Sequence, residues 1–177
     1  MMLAHVFVGD GGPAAGFIHP LLGADHLTAM FSVGVLSARI GGRAIWTVPA
    51  TFVGVMIVGG ILAVAGWQLR GTELGVATSV LILGAALAAG HLPVWTALAG
   101  AGFFGLFHGY AHGAEMPAAE SPALYALGFS ISTIGLHVLG VLTGLLVLCR
   151  RAGHARLRLA GAFIAMVGLW FVATTRT

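Results

Sequence analysis

Long apolar runs alternate with brief polar or Gly/Pro breaks along the whole 177-residue chain. The pattern predicts helices at roughly 14–38, 45–66, 73–90, 93–114, 122–148 and 157–175. Each run approaches or exceeds the roughly 20 residues that cross about 30 Å of hydrocarbon at 1.5 Å per residue. The third is the shortest, and only Gly90-His91-Leu92-Pro93 separates it from the fourth. Pro20 and Pro49 fall within or beside runs, where a membrane helix tolerates them if neighbours satisfy the freed carbonyls. The expected fold is an all-α integral membrane protein. It forms a single transmembrane domain over 1–177, a bundle of six helices, or seven if a leader precedes this chain. Residues 1–12 are too short and too weakly apolar to be a signal peptide themselves.

Composition supports lipid as the solvent. Hydrophobic residues make up 59% of the chain and charged residues only 7%. A soluble domain carries about a quarter charged residues, because it needs a solvated surface. The 28 glycines fit too, since small residues let membrane helices approach closely. The single cysteine, Cys149, excludes an internal disulfide and a CxxC metal knuckle, and reads as a small apolar residue near a helix end.

All eight basic residues are arginine. Arg39 and Arg43 lie in the loop after the first run, and Arg150, Arg151, Arg156 and Arg158 in the loop before the last. The opposite loops hold Arg70 with Glu73, and Glu115 with Glu120. This asymmetry puts the odd-numbered loops in the cytoplasm and both termini outside. The net charge of +3 is therefore a topology signal and not a nucleic-acid footprint, which would gather on one face of a folded domain. No GxxxxGK[ST] loop occurs, so nothing points to ATP hydrolysis.

Ionisable groups inside a span are expensive and usually functional. The first run holds His19, Asp25 and His26; the fourth ends with His108, His112 and Glu115; the fifth holds His137 beside Ser130, Ser132 and Thr133. On a helix, His19 and His26 lie two turns apart, and His108, His112 and Glu115 share a face. A His pair at i, i+4 is a common way to hold a divalent metal from one helix. Imidazole suits Ni, Co, Zn and Cu, and a carboxylate supplies the negative charge that a buried 2+ ion requires. Asp25 is the acid placed deep within a span. On straight helices His19 would lie about 6 Å from the outer end, His108 about 10 Å, His26 about 16 Å and His137 about 22 Å. That ladder suits an ion handed from site to site.

Other polar positions have plainer readings. Ser130, Ser132 and Thr133 are expected to bond helix carbonyls, and Met30 to pack in the core rather than act as a soft ligand. Tyr110, Trp46, Trp67 and Trp95 read as interfacial belt residues. His91 and His154 read as solvated loop histidines, and Glu73 and Glu120 as loop charges. His5 and Asp10 are candidates for collecting metal at the entrance.

The span-one stretch His19-Pro20-Leu21-Leu22-Gly23-Ala24-Asp25-His26-Leu27-Thr28-Ala29-Met30 resembles the signature of the HupE/UreJ family of small nickel permeases. The likeness extends to Phe107-His108-Gly109-Tyr110-Ala111-His112-Gly113-Ala114-Glu115 and to Thr133-Ile134-Gly135-Leu136-His137-Val138-Leu139-Gly140. Together these motifs cover three of six spans. The resemblance implies uptake of Ni²⁺ across the bacterial inner membrane for hydrogenase or urease maturation, with His19, Asp25 and His26 central. It also implies the metal as substrate, with no prosthetic group. Cobalt is carried by related permeases, and no residue here separates the two metals. The element is also similar to the HxxxxDH motif of nickel/cobalt transporters, with one extra residue. Family members usually begin with a cleavable signal peptide, which residues 1–12 do not resemble.

The path expected from these residues runs from Glu115, His112 and His19 to Asp25, His26 and His108, and out past His137. Two other chemistries stay open. An intramembrane zinc hydrolase would use a three-His plus Asp site drawn from Asp25, His26, His108 and His137. A bis-His haem protein would take its ligands from the first and fourth spans. A homo-oligomer is compatible with each of these readings.

Overall fold

The computed structural model describes residues 13–117 and 121–175, and all regular structure among them is α-helical. The helices are α1 (Pro13–Leu22), α2 (Ala24–Ile40), α3 (Ala44–Val64), α4 (Thr72–Ala89), α5 (Val94–Ala114), α6 (Pro122–Leu148) and α7 (Gly153–Thr174). Helices α3 to α7 fall within four residues of the ends expected from the apolar runs. Four of them, α3, α4, α6 and α7, are long and apolar enough to span a membrane alone. Helix α5 has the length, 21 residues, but His108, His112 and five glycines dilute its apolar character.

The first expected span is not one helix. It breaks at Gly23, and α1 and α2 meet at 86°, passing as a span only as a pair. The count of six spans is therefore approximate. Two residues make the break. Pro20 has no N–H to offer the carbonyl one turn back. Gly23 is extended (φ −82°, ψ 109°) and starts α2 by accepting the Leu27 N–H at 2.9 Å. A Cβ on Gly23 would lie 3.1 Å from Asp25 Oδ1 and 3.3 Å from His26 Nδ1, in space those side chains use.

Elsewhere glycine sets how closely helices pack. Helix α3 lies on α5, α4 on α7, and both α1 and α2 on α6. At each seam a Cβ on either helix would run into the partner's backbone: Gly59 and Gly109 between α3 and α5, Gly84 and Gly161 between α4 and α7, Gly34 and Gly140 between α2 and α6. In lipid there is no hydrophobic drive between helices, so such backbone approach and its dispersion energy hold the bundle together.

The outer surface is lipid-like. Trp46, Trp67, Trp95, Leu146, Leu159, Phe163 and Trp170 are all exposed. Tyr110 does more than decorate an interface, since its hydroxyl donates to the Trp67 carbonyl at 2.8 Å and ties α5 to the end of α3. At the opposite end, the Arg39 guanidinium donates to the Leu87 carbonyl, and Arg158 Nε donates to that of Ala88 at 3.0 Å. These arginines satisfy the last carbonyls of α4, where a helix end carries partial negative charge.

Candidate metal site: a buried histidine cluster

The break at Gly23 folds the expected ladder into a cluster. A straight helix would separate His19 from His26 by about 10 Å along its axis. Here their ring centroids are 6.3 Å apart. His112 lies 5.0 Å from His19 and 4.8 Å from His26, and His108 lies 4.8 Å from His26. Four histidines from three helices thus pack side by side. The ladder of separate depths is corrected to this compact group plus His137. Phe52 of α3 stands between His108 and His137, its ring centroid 5.3 Å from each.

Three of the four clustered rings have one nitrogen occupied by a protein group and the other left over. His26 Nδ1 lies 3.0 Å from Asp25 Oδ1, which also accepts the His26 backbone N–H at 2.8 Å. A carboxylate can only accept, so Nδ1 carries the proton and Nε2 keeps its lone pair. His26 Nε2 is buried without a partner. Ser79 spends its one proton on the Val76 carbonyl at 2.6 Å, so at 2.9 Å it must accept from His108 Nε2. The lone pair of His108 is then on Nδ1, which is also buried and unpartnered. His19 Nε2 pairs with Glu115 Oε2 at 3.0 Å, leaving Nδ1.

This is how metal-binding imidazoles are usually prepared: an acceptor on one ring nitrogen fixes the tautomer and raises the basicity of the other. His112 is fully buried, stacks on Phe129 at 4.9 Å, and has neither ring nitrogen paired; the same is true of the nitrogens of the buried His137. A buried polar group without a partner costs about 1–3 kcal/mol. Of the six unpaired imidazole nitrogens on His26, His108, His112 and His137, one per neutral ring carries a lone pair, giving four donors of the kind that a Lewis-acidic cation takes. As they stand, no three His, Cys, Asp or Glu groups among the described residues converge on one point that could hold a metal.

The Glu115 carboxyl follows α5, and its hydrogen bond from His19 holds it below the usual carboxylate range. Glu73, read as a loop charge, instead stands in the first turn of α4, within electrostatic reach of both Glu115 and Asp25. His91 and His154 are exposed, as expected, but only His91 lies in a loop; His154 stands in the first turn of α7. His91 also lines a cavity of about 280 Å³ with Arg39 and Pro93. A second cavity of about 350 Å³, almost wholly apolar, begins at Phe52 and shares Leu36, Ala86 and Leu92 with the first. His5, Asp10 and Glu120 lie outside the described residues.

Thr133 and Ser132 depart from expectation: the Thr133 hydroxyl turns to the Met30 sulfur at 3.2 Å and not to a carbonyl of its own helix, and Ser132 Oγ is buried without a partner. Ser79 and Phe52 had no sequence signal. A serine or phenylalanine in an apolar run is ordinary until the fold places it against a histidine.

A family model described as HupE / UreJ protein matches residues 1–171. The chain is also similar to the protein HupE of Rhizobium leguminosarum bv. viciae, with 40% identity over 167 residues, covering 93% of this chain and 86% of the relative. No solved structure matches. With the family model spanning nearly every residue, including the stretches that hold the histidine cluster, the chain belongs to the HupE/UreJ family.

Proposed function

We propose that this chain is an inner-membrane permease that takes up divalent nickel, or cobalt, to supply hydrogenase or urease maturation. The observation that carries the reading is the cluster of buried imidazoles with unpartnered nitrogens, prepared by Asp25, Glu115 and Ser79. Ni²⁺ sheds water at Glu115 and His19 and passes to His112. It then moves to His26 and His108, with Asp25 supplying charge, and leaves past Phe52 and His137 into the apolar cavity and its neighbour beside His91. Both termini face outside in this orientation. Close, incompletely convergent donors suit transfer better than retention, because an ion must leave each site.

Moving a divalent ion inward across 100 mV yields about 4.6 kcal/mol, twice the single-charge value, so the membrane potential suffices as a driving force. Cells expressing the protein under nickel limitation should accumulate radiolabelled nickel, with cobalt competing better than magnesium. Accumulation no greater than in vector controls, with the protein present in the membrane, would refute the reading.

Acid should inhibit. Ligand imidazoles must be neutral, so protons compete with the metal for their lone pairs. The His19 hydrogen bond holds Glu115 below the usual carboxylate range, so this group stays ionised between pH 7 and 5. A loss of uptake over that window is then not a loss of the Glu115 charge. Initial rates should fall on acidification, and a fall that raising the nickel concentration does not relieve would contradict proton–metal competition at imidazole.

A further inference from the structure

Directly beneath the histidine cluster, two methionine sulfurs meet at one hydroxyl. Thr133 Oγ1 of α6 lies 3.2 Å from Met30 Sδ of α2 and 3.8 Å from Met56 Sδ of α3. All three side chains are fully buried. Met30 is one turn beyond His26, Met56 one turn from Phe52, and Thr133 one turn before His137. Three helices therefore bring these groups together at a depth between His26 and His137, where the proposed path must run.

We propose that Met30, Met56 and Thr133 form a thioether station, a second metal-binding site on the path that favours soft and borderline cations over hard ones. The inference rests on the transport reading for its role in flux, but not for metal binding itself. Thioether sulfur is a polarizable donor with little affinity for Mg²⁺, Ca²⁺ or Mn²⁺, whose preferred ligands are oxygens. A hydroxyl on a helix ordinarily bonds a carbonyl of the turn before it. Thr133 instead points at sulfur, with both thioethers within reach of its hydroxyl. Its single proton serves one sulfur at a time, so the other keeps its lone pairs free. A cation leaving His26 and His108 would meet sulfur before the imidazole of His137. The nitrogens select for metals that accept imidazole, and the sulfurs then discriminate against those that bind only oxygen.

Selenomethionine-labelled protein saturated with Ni²⁺ gives the direct test, by X-ray absorption at the selenium edge. A nickel–selenium scattering path is expected in the otherwise unsubstituted protein and should be lost in Met30→Leu/Met56→Leu, where leucine nearly conserves volume. That control separates the station from Met116, which follows Glu115 in sequence. In vesicles, the same pair of substitutions should lower nickel uptake about tenfold while its preference for nickel over manganese collapses. Absence of the scattering path in the unsubstituted protein overturns the station, as does a folded variant with unchanged uptake and preference. Each single leucine variant repeats the transport test should the double variant fail to fold. If unsubstituted protein carries no nickel at all, the transport reading fails, and the absorption spectrum still decides whether sulfur binds metal.

Discussion

Asp25→Asn is expected to abolish nickel uptake while leaving the protein inserted and folded. Asparagine keeps the shape and can still accept from His26, so the helix start at Gly23 survives. The charge does not. At about 6 Å and an effective dielectric near 20, a carboxylate stabilises a divalent ion by about 5 kcal/mol. Losing half of that lowers occupancy roughly 100-fold. The substitution also weakens the acceptor that keeps the His26 proton on Nδ1, so the lone pair is less firmly committed to Nε2. Uptake at or near background, with a monodisperse elution profile like that of the unsubstituted protein, is the expected pair of observations. Substantial uptake by Asp25→Asn would show that the charge facing the ion comes from elsewhere.

Gly109→Ala should give the largest loss of stability on α5. A Cβ there runs into the Met56 carbonyl across the α3–α5 seam, where no flexible side chain can give way. Overpacking of this kind typically costs about 1–3 kcal/mol, and a backbone collision belongs at the upper end. The strain also reaches function, because Gly109 follows His108 and lies three residues before His112. Gly100→Ala is the matched control, since a Cβ on Gly100 meets nothing within 4 Å. Thermal unfolding in detergent should show a clear fall for Gly109→Ala and little change for Gly100→Ala. Equal behaviour of the two would mean that the seam is not as tight as its geometry implies.

Much of the architecture was legible because lipid imposes a simple rule. Backbone groups must be paired internally, so apolar runs become helices, and their ends came out within a few residues. The break at Gly23 was not read, although Pro20 and Gly23 signalled it, because the apolar pattern continues through Leu21-Leu22-Gly23-Ala24. That miss had a consequence. Depths counted along straight helices spread His19, His26 and His108 apart, whereas the bend packs them together. The shared face of His108 and His112 was readable from their spacing, and both rings meet His26. Ser79, Phe52 and Met56 were invisible, since their importance comes only from which side chain a distant helix brings beside them.

The most direct test of the central claim is nickel flux through the purified protein. Proteoliposomes holding an inward-negative potential should take up radiolabelled Ni²⁺ saturably, with cobalt competing and with Asp25→Asn inactive. If protein shown to be folded and inserted moves no divalent metal, and instead retains a stoichiometric ion through dialysis, the histidine cluster is a fixed metal site rather than a path.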